Sequence, residues 1–187
     1  MDGMSRREFI WMSNELMKRL HVMPDGTWRQ AVYSPCESYR YFLRIRWDFS
    51  DEGRALTFLM LNPSKATELS NDNTVAGCER RAREWGYAGC NILNIFAYRA
   101  TDPSEMKKQD DPVGPDNDRF ILDHCMGRHG DVVCAWGNHG SHLERSRSVV
   151  DMLLSAGARL HYLKLNSTGE PMHPLYVRRD VRPTLWQ

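Results

Sequence analysis

The chain has 187 residues, of which 41% are hydrophobic, so it is long enough for one domain with a sizeable buried core. Its 25 Lys and Arg residues nearly balance its 24 Asp and Glu residues, which argues against a strongly electrostatic nucleic-acid binder and leaves room only for a local basic patch. No run of about 18 apolar residues is present, so no membrane span or membrane partner is expected.

The cysteines and histidines predict neither disulfides nor a metal centre. The five cysteines are odd in number and include no Cys-x-x-Cys pair, and no His-Glu-x-x-His spacing occurs. Buried, reduced thiols are typical of a cytoplasmic protein, and the sequence start lacks the apolar stretch of a secretory signal. We therefore expect a cytoplasmic protein without metal or cofactor.

The first thirty residues are predicted to form a helical appendage, followed by a single α/β domain over residues 31–187. Residues 5–20 fit a basic amphipathic helix, which could be a packing appendage or a nucleic-acid arm. Its apolar side consists of Phe9, Met12, Leu16 and Leu20. The sequence MPDG at 23–26 predicts a turn after this helix.

The rest of the chain predicts alternating strands and helices. Residues 38–47 read as a half-exposed strand, in which Arg40, Arg44 and Arg46 face away from the tyrosines and aliphatic residues between them. Further strands are predicted at 55–61, 90–96, 131–136 and 159–165, and helices at 73–85, 117–125 and 143–154. This alternation predicts a three-layer α/β/α sandwich with a largely parallel central sheet.

Polar loops follow four of the predicted strands. Because the carboxyl ends of parallel strands meet at one edge of a sheet, these loops are expected to form one binding site. Their sequences are NPSKA (62–66), LNIFAYRATDP (93–103), GNHG (137–140) and NSTGEPMHPLY (166–176).

Seven short segments of the sequence together carry a family resemblance: SPCESYRY (34–41), MLNPSKA (60–66), NDNT (71–74), LNIFAYRATDP (93–103), PVGPDND (112–118), AWG (135–137) and GEPMHPLY (169–176). They resemble the domain of unknown function 1643 family (DUF1643). The resemblance runs from about residue 31 onward, and the family name implies no activity.

The order of these motifs is also similar, more remotely, to the uracil-DNA glycosylase superfamily. Asn62-Pro63-Ser64 matches the loop after the first central strand, Asn94 the strand-end residue that reads the base, and His173-Pro174-Leu175 a His-Pro-Ser loop. Leu61 replaces a glycine and Leu175 a serine of that pattern. The resemblance implies a uracil-DNA glycosylase-like fold and cleavage of an N-glycosidic bond.

The resemblance implies a role for each matched residue. His173 would donate a hydrogen bond to the base oxygen that gains charge, Asn62 would orient a water, and Asn94 would read the base edge. Asp72 would supply a carboxylate if one is needed, although it also fits a helix N-cap. Both His173 and Asn94 could instead have a purely structural role. His173 could cap its own turn, and Asn94 could close a backbone hydrogen bond at the end of its strand.

The predicted substrate is a modified pyrimidine in DNA. Ser64 stands where enzymes strict for uracil place an aromatic ring against C5 of the base, so a C5 substituent would be admitted. Phe96 is predicted to contact the base together with Asn94 and Ser64. Viruses of bacteria carry such modified bases, and defence against their DNA is a hypothesis that follows.

A second group of residues is predicted to contact single- or double-stranded DNA. Leu175 and Tyr176 could fill the space of a flipped base, and Arg178, Arg179 and Lys65 could reach phosphates. The alternative is that the two apolar residues pack in the core and the arginines form a solvated tail.

Two other functions remain open from the sequence: a non-catalytic nucleic-acid or nucleotide-binding module, and a hydrolase of free nucleosides or nucleotides. No Gly-x-Ser-x-Gly elbow and no GxxxxGK[ST] phosphate loop occurs, which argues against a serine hydrolase and a nucleoside triphosphatase. No feature of the sequence indicates an obligate protein partner.

Overall fold

The structure is a computed structural model that describes residues 16–50, 53–65, 69, 72–126 and 131–186, together with the backbone of residues 7–13. Its strands are β1 (Arg7–Ser13), β2 (Leu16–Val22), β3 (Trp28–Tyr33), β4 (Arg40–Arg46), β5 (Ala55–Met60), β6 (Gly89–Asn94), β7 (Asp131–Cys134), β8 (Arg159–Tyr162) and β9 (Thr184–Leu185). Its helices are α1 (Asn73–Glu84), α2 (Pro103–Lys107), α3 (Asn117–Cys125) and α4 (Arg145–Ser155), with 3-10 segments at Asn138–Glu144 and Pro174–Tyr176. No helix in these ranges combines the length and the apolar character needed to cross a membrane.

The nine strands of the described chain form one mixed sheet in the order β1-β2-β3-β4-β6-β5-β7-β8-β9. Five of its eight strand pairings are antiparallel, and only those within β6-β5-β7-β8 are parallel. The predicted three-layer α/β/α sandwich with a largely parallel, uracil-DNA glycosylase-like sheet is therefore wrong.

The antiparallel half of the sheet results from the short connections between its strands. The turn between β2 and β3 is closed by a 2.8 Å hydrogen bond from the Met23 N–H to the Thr27 carbonyl, with Gly26 at a φ of 81°. A connection this short can join only antiparallel neighbours, because a parallel crossover needs about a dozen residues or more. Between the four strands before β5, the described residues thus include no helix.

The predicted N-terminal helix is also wrong. The backbone over 7–13 and 16–22 is paired as β1 and β2, from Arg7 opposite Val22 to Ser13 opposite Leu16. The side chains of Phe9 and Met12, on which the predicted apolar side depended, lie outside the described residues. The predicted domain limit at residue 31 falls inside β3, and the division into domains stays a prediction.

Helices cover both faces of the central strands. On one face, α1 packs its buried Val75, Cys78 and Ala82 against a cluster that includes Phe58 and Ile92. The helices α3 and α4 pack on the opposite face, where the buried cluster includes Leu59, Leu93, Ile121, Val149 and Leu153. The predicted α1 and α3 are confirmed, and the carboxyl ends of β5, β6, β7 and β8 lie at one edge.

The strand β4 is more deeply buried than its sequence pattern predicted. Its first four residues, from Arg40 to Leu43, are all buried, so both faces of this half are covered. Phe42 packs in the cluster on the α3 side, and Leu43 and Ile45 pack in the cluster on the α1 side. The prediction that Arg40 faces outward is therefore wrong.

Candidate functional site

An open cavity of about 550 Å³ lies at the carboxyl ends of β5, β6, β7 and β8. This volume falls within the roughly 300–1,000 Å³ typical of pockets for small organic ligands. Loops after all four strands contribute to it, including Asn62, Thr101, Asn138 and Asn166. The predicted meeting of the four polar loops is thus found in the structure.

Six of the predicted site residues line this cavity although they are far apart in the sequence. They are Asn62, Ser64, Asp72, Asn94, His173 and Tyr176. Strand order explains the convergence: β5 lies between β6 and β7, so the chain leaves β5 towards β6 and later returns on its other side at β7. Crevices at such reversals are where open sheets bind ligands.

Asn94 presents a buried amide to the cavity. Asn94 is only 2% exposed, and no described residue makes a hydrogen bond to its side chain. The carbonyl of Asn94 accepts a 2.9 Å hydrogen bond from Asn117 Nδ2, which fixes the backbone at the end of β6. The donor and the acceptor of this amide can pair with the polar edge of a ligand in the cavity.

Asn62 is held in one orientation by backbone carbonyls. Its Nδ2 donates to the Ala100 carbonyl at 2.8 Å and to the Pro63 carbonyl at 3.2 Å. This bonding assigns the nitrogen and leaves Oδ1 as an acceptor, to which no described residue donates. Asn62 can therefore accept a hydrogen bond from a water or a ligand.

Asp72 is the N-cap of α1, and both of its carboxylate oxygens are engaged. Oδ1 accepts from the Val75 N–H at 2.8 Å, and Oδ2 accepts from the Ser64 hydroxyl at 2.7 Å. The predicted cap is confirmed. The same carboxylate lines the cavity, where it places a negative charge beside Ser64.

His173 enters the cavity as a neutral imidazole. Burial lowers the pKa of His173, and the negative charge of Asp72 opposes this shift only in part. The Leu175 N–H donates to Nδ1 over 3.4 Å, so that nitrogen is the acceptor and Nε2 carries the proton. The side chain caps its own turn, as in the structural alternative, and still offers an Nε2–H donor.

The loop after β7 supplies a wall that the sequence predictions did not assign to individual residues. Trp136, Gly137, Asn138 and His139 line the cavity there. The Trp136 indole donates to Glu170 Oε2, while Gly137 has a φ of 72° that favours glycine. Within the described residues, no group of three or more His, Cys, Asp or Glu side chains is arranged to hold a metal ion.

Arg40 is a further lining residue that sequence reasoning missed. It is 4% exposed, and its Nε has no hydrogen-bond partner among the described residues. The alternation of arginines with tyrosines in β4 is typical of a strand with a solvent face, so the pattern carried no signal that this arginine is internal. Only the packing of neighbouring elements over β4 places it in the cavity.

A buried arginine of α1 holds the segment that carries His173. Arg81 donates to the carbonyl of Val177 at 2.7 Å and to those of Pro174, Arg178 and Arg179 at 3.1–3.3 Å. Four carbonyls of one irregular segment are thereby satisfied by a single guanidinium, which can donate five hydrogen bonds. The loop after β8 is fixed to α1 by this side chain.

The family model described as a protein of unknown function (DUF1643) matches residues 40–175. The chain belongs to this family. The matched range begins at Arg40 and ends just after His173, so in this DUF1643 protein it contains every cavity residue except Tyr176. No curated protein matches the chain.

Several predicted residues of the DUF1643 protein lie outside the cavity. Phe96 is completely buried in the core cluster on the α3 side, so its predicted contact with a base is wrong. Leu175 is 49% exposed but does not line the cavity, whereas Tyr176 is 80% exposed at its rim. Neither packs in the core.

The three cations predicted to reach phosphates are each paired with an acid. Lys65 lies 3.0 Å from Glu105, Arg178 lies 2.8 Å from Asp180, and Arg179 pairs with Glu84. These pairs are at the surface, where such contacts contribute little and can exchange for other partners. The surface around the cavity is therefore close to neutral at these three positions.

Proposed function

We propose that this protein is a DNA glycosylase that hydrolyses the N-glycosidic bond of a C5-substituted pyrimidine. The observation that carries the proposal is the convergence of Asn62, Asn94 and His173 on one cavity large enough for a nucleobase. An amide to read the base, an acceptor to orient water and a donor for the departing base are the groups that this reaction needs. DNA is the proposed partner.

The chemistry follows from the charge that develops as the bond breaks. The electron pair of the C–N bond moves to the base, and the sugar becomes an oxocarbenium-like cation that water attacks at C1′. The Nε2–H of His173 would donate to the base oxygen as negative charge grows there, a contribution of about 3–4 kcal/mol in comparable sites. A proton from the water finally reaches the released base.

Asn62 supplies positioning rather than basicity. Its Oδ1 would accept a hydrogen bond from the attacking water, which needs little activation against an oxocarbenium-like centre. The two carbonyls that hold Nδ2 keep this acceptor fixed before substrate arrives. The site thus supports attack without a dedicated general base.

Asn94 and Ser64 would select the base. The Asn94 amide offers both a donor and an acceptor, as the polar edge of a pyrimidine requires. Ser64 is a small residue at the cavity wall whose hydroxyl is turned to Asp72, which leaves space for a substituent at C5. Tyr176, exposed at the rim, is placed to occupy the gap that a flipped base leaves.

The test is base release from defined oligonucleotides that carry uracil, thymine or C5-substituted cytosines, with alkali cleavage at the resulting abasic site. We expect release of a C5-substituted base, and a loss of about 100-fold or more for His173→Ala, because it removes a donor to a developing anion. Asn62→Ala should also abolish turnover while DNA binding persists. His142→Ala is the control, since this histidine does not line the cavity.

Two results would contradict the glycosylase proposal. A strong preference for plain uracil would overturn the predicted C5 selectivity. Binding of DNA without release of any base would favour a non-catalytic module.

A second candidate is hydrolysis of a free nucleotide. It is favoured by the ion pairs that Lys65, Arg178 and Arg179 make with acids. At these positions the charges that could contact the phosphates of a DNA backbone are already neutralised. Release of base from nucleoside monophosphates, faster than from oligonucleotides at equal concentration, would select this alternative. The same His173 and Asn62 variants test both the glycosylase proposal and the hydrolysis of a free nucleotide.

We also propose that the protein works in the cytoplasm, where it would act against viral DNA with modified bases. All five cysteines are free thiols, and Cys78, Cys90, Cys125 and Cys134 are buried. Unpaired thiols fit a reducing compartment. Reduced plating of a virus with C5-modified DNA on cells that express the protein, and normal plating on cells with His173→Ala, would support this role.

A further inference from the structure

Arg40 is a buried cation on the wall of the cavity. Its side chain donates a hydrogen bond to Tyr33, but its Nε has no partner, and no described carboxylate lies within ion-pairing distance. The guanidinium is therefore only partly satisfied by the described protein groups. Burial of such a cation is unfavourable unless another group compensates its charge.

The guanidinium groups of the other buried arginines of the described chain have acids or backbone carbonyls as partners. Arg29 pairs with Glu79 at 2.9 Å, Arg145 pairs with Asp118, and Arg81 caps the four carbonyls described above. None of these three lines the cavity. The arginine that faces the cavity thus has, among the described residues, neither an ion-paired acid nor a set of backbone carbonyls around its guanidinium.

The charges around Arg40 do not remove its excess positive charge. Arg99 lies close enough to repel it, and Asp72 is the acid that attracts it. The oxygens of Asp72 already accept from Ser64 and from the Val75 N–H. Glu37, the next acid in this region, is 2.7 Å from Arg19 and 4.0 Å from Arg99.

We propose that Arg40 is an anion subsite that binds a phosphate or carboxylate oxygen of the substrate while Asn94 holds its base. Both residues line the same cavity, and the Arg40 N–H donates at 3.0 Å to the carbonyl of Ala97, three residues beyond Asn94. The cavity of about 550 Å³ has room for more than a pyrimidine ring. A guanidinium is suited to oxyanions because its N–H groups match their geometry.

This inference names the substrate class within the proposed function, and it is tested by binding rather than by turnover. Titration calorimetry would compare cytidine, cytidine 5′-monophosphate, 5-carboxycytidine and inorganic phosphate on the wild-type protein. We expect at least one anionic nucleoside to bind about 10- to 100-fold more tightly than cytidine, the range for a hydrogen bond to a charged group. An advantage of the 5′-monophosphate identifies a sugar phosphate, and an advantage of 5-carboxycytidine identifies an acidic base substituent.

Arg40→Gln should abolish this advantage and leave cytidine binding unchanged. Arg44→Gln, with the same charge change on the same strand but outside the cavity, should keep it. Arg40→Lys retains the positive charge but lacks the planar guanidinium, so it should keep part of the binding advantage. Circular dichroism would verify that each variant folds. If Arg40→Gln does not fold, the comparison of anionic and neutral nucleosides on the wild-type protein still tests the inference.

The outcomes separate this inference from the glycosylase proposal. Equal binding of cytidine and both anionic nucleosides to the wild-type protein overturns the anion subsite, although base release could still occur. Binding of inorganic phosphate that Arg40→Gln abolishes, together with no binding of any nucleoside, supports the subsite and contradicts the proposed function. An advantage that survives in folded Arg40→Gln also overturns the inference.

Discussion

The ring of His124 is stacked on the ring of Phe42 with 4.0 Å between their centroids. Burial and the nearby positive charge of Arg44 lower the pKa of His124 to about 4. The folded protein therefore holds this ring neutral, while the unfolded chain binds a proton below about pH 6.5. Because the unfolded chain binds this proton at a higher pH than the folded protein does, the stability present above pH 6.5 is lost as the pH falls towards about 4.

We predict that His124→Phe makes the protein less sensitive to acid. The full shift would be worth about 3 kcal/mol, and solvent at the partly exposed ring reduces this to about 1–2 kcal/mol. Urea unfolding of both proteins near neutral pH and at about pH 4.5 measures the difference, because the variant keeps the aromatic stack but cannot take up the proton. An equal loss of stability in both proteins would contradict the prediction.

Ser64 determines whether the cavity admits a substituted base, so its enlargement should change selectivity. We predict that Ser64→Phe lowers release of C5-substituted pyrimidines relative to uracil by about tenfold or more, as steric exclusion in a pocket does. Ser64→Ala keeps the space and removes only the hydrogen bond to Asp72. Parallel kinetics on paired oligonucleotides measure the ratio, and a ratio unchanged by Phe would show that the base lies elsewhere.

Individual residues of the candidate site could be predicted where the chain leaves a parallel strand. The loops that carry Asn62, Asn94 and His173 were predicted from strand ends, and the resemblance to the uracil-DNA glycosylase superfamily singled out these three residues within them. Arg40 was missed because alternation along one strand does not reveal which neighbours cover it. Phe96 was predicted to contact the base, yet it is completely buried in the core.

At the scale of elements, α1 depends on Asp72 as its N-cap. We predict that Asp72→Ala lowers the free energy of unfolding by about 1 kcal/mol, whereas Asp72→Asn, an equally good cap, changes it little. Denaturant unfolding provides the measurement. Activity of Asp72→Asn separates the two roles: retained turnover indicates a cap alone, and a loss of about 100-fold or more would indicate a carboxylate that acts as a base.

Apart from α2 and β9, the strands and α-helices from β5 onward could be predicted because helical and strand periods alternate there with clear breaks. The helix limits of 117–125 agree with α3, and β5 lies within the predicted 55–61. The segment of β2 was misread because Leu16 and Leu20 are four residues apart, a spacing that suits one side of a helix. Its pairing with β1 and β3 is a long-range feature, which local periodicity does not encode.

At the scale of the whole molecule, near-neutral charge limits how strongly salt can affect DNA binding. If Lys65, Arg178 and Arg179 exchange their acidic partners for phosphates, about three counterions are released. We therefore predict a slope no steeper than about −3 in a plot of log K against log salt concentration. Fluorescence anisotropy across a salt series measures it; a much steeper slope would reveal a larger cationic surface.

The tie between Arg81 and the segment after His173 has a consequence for the shape of the cavity. Helix α1 begins at its N-cap Asp72 and carries Arg81 near its end, so this one helix positions both Asp72 and the segment that follows His173. A larger residue at Ala82, which is completely buried in α1 and does not line the cavity, would shift both parts of the cavity wall together. Substrate size could thus be adjusted by packing beneath α1, without altering any group that contacts the substrate.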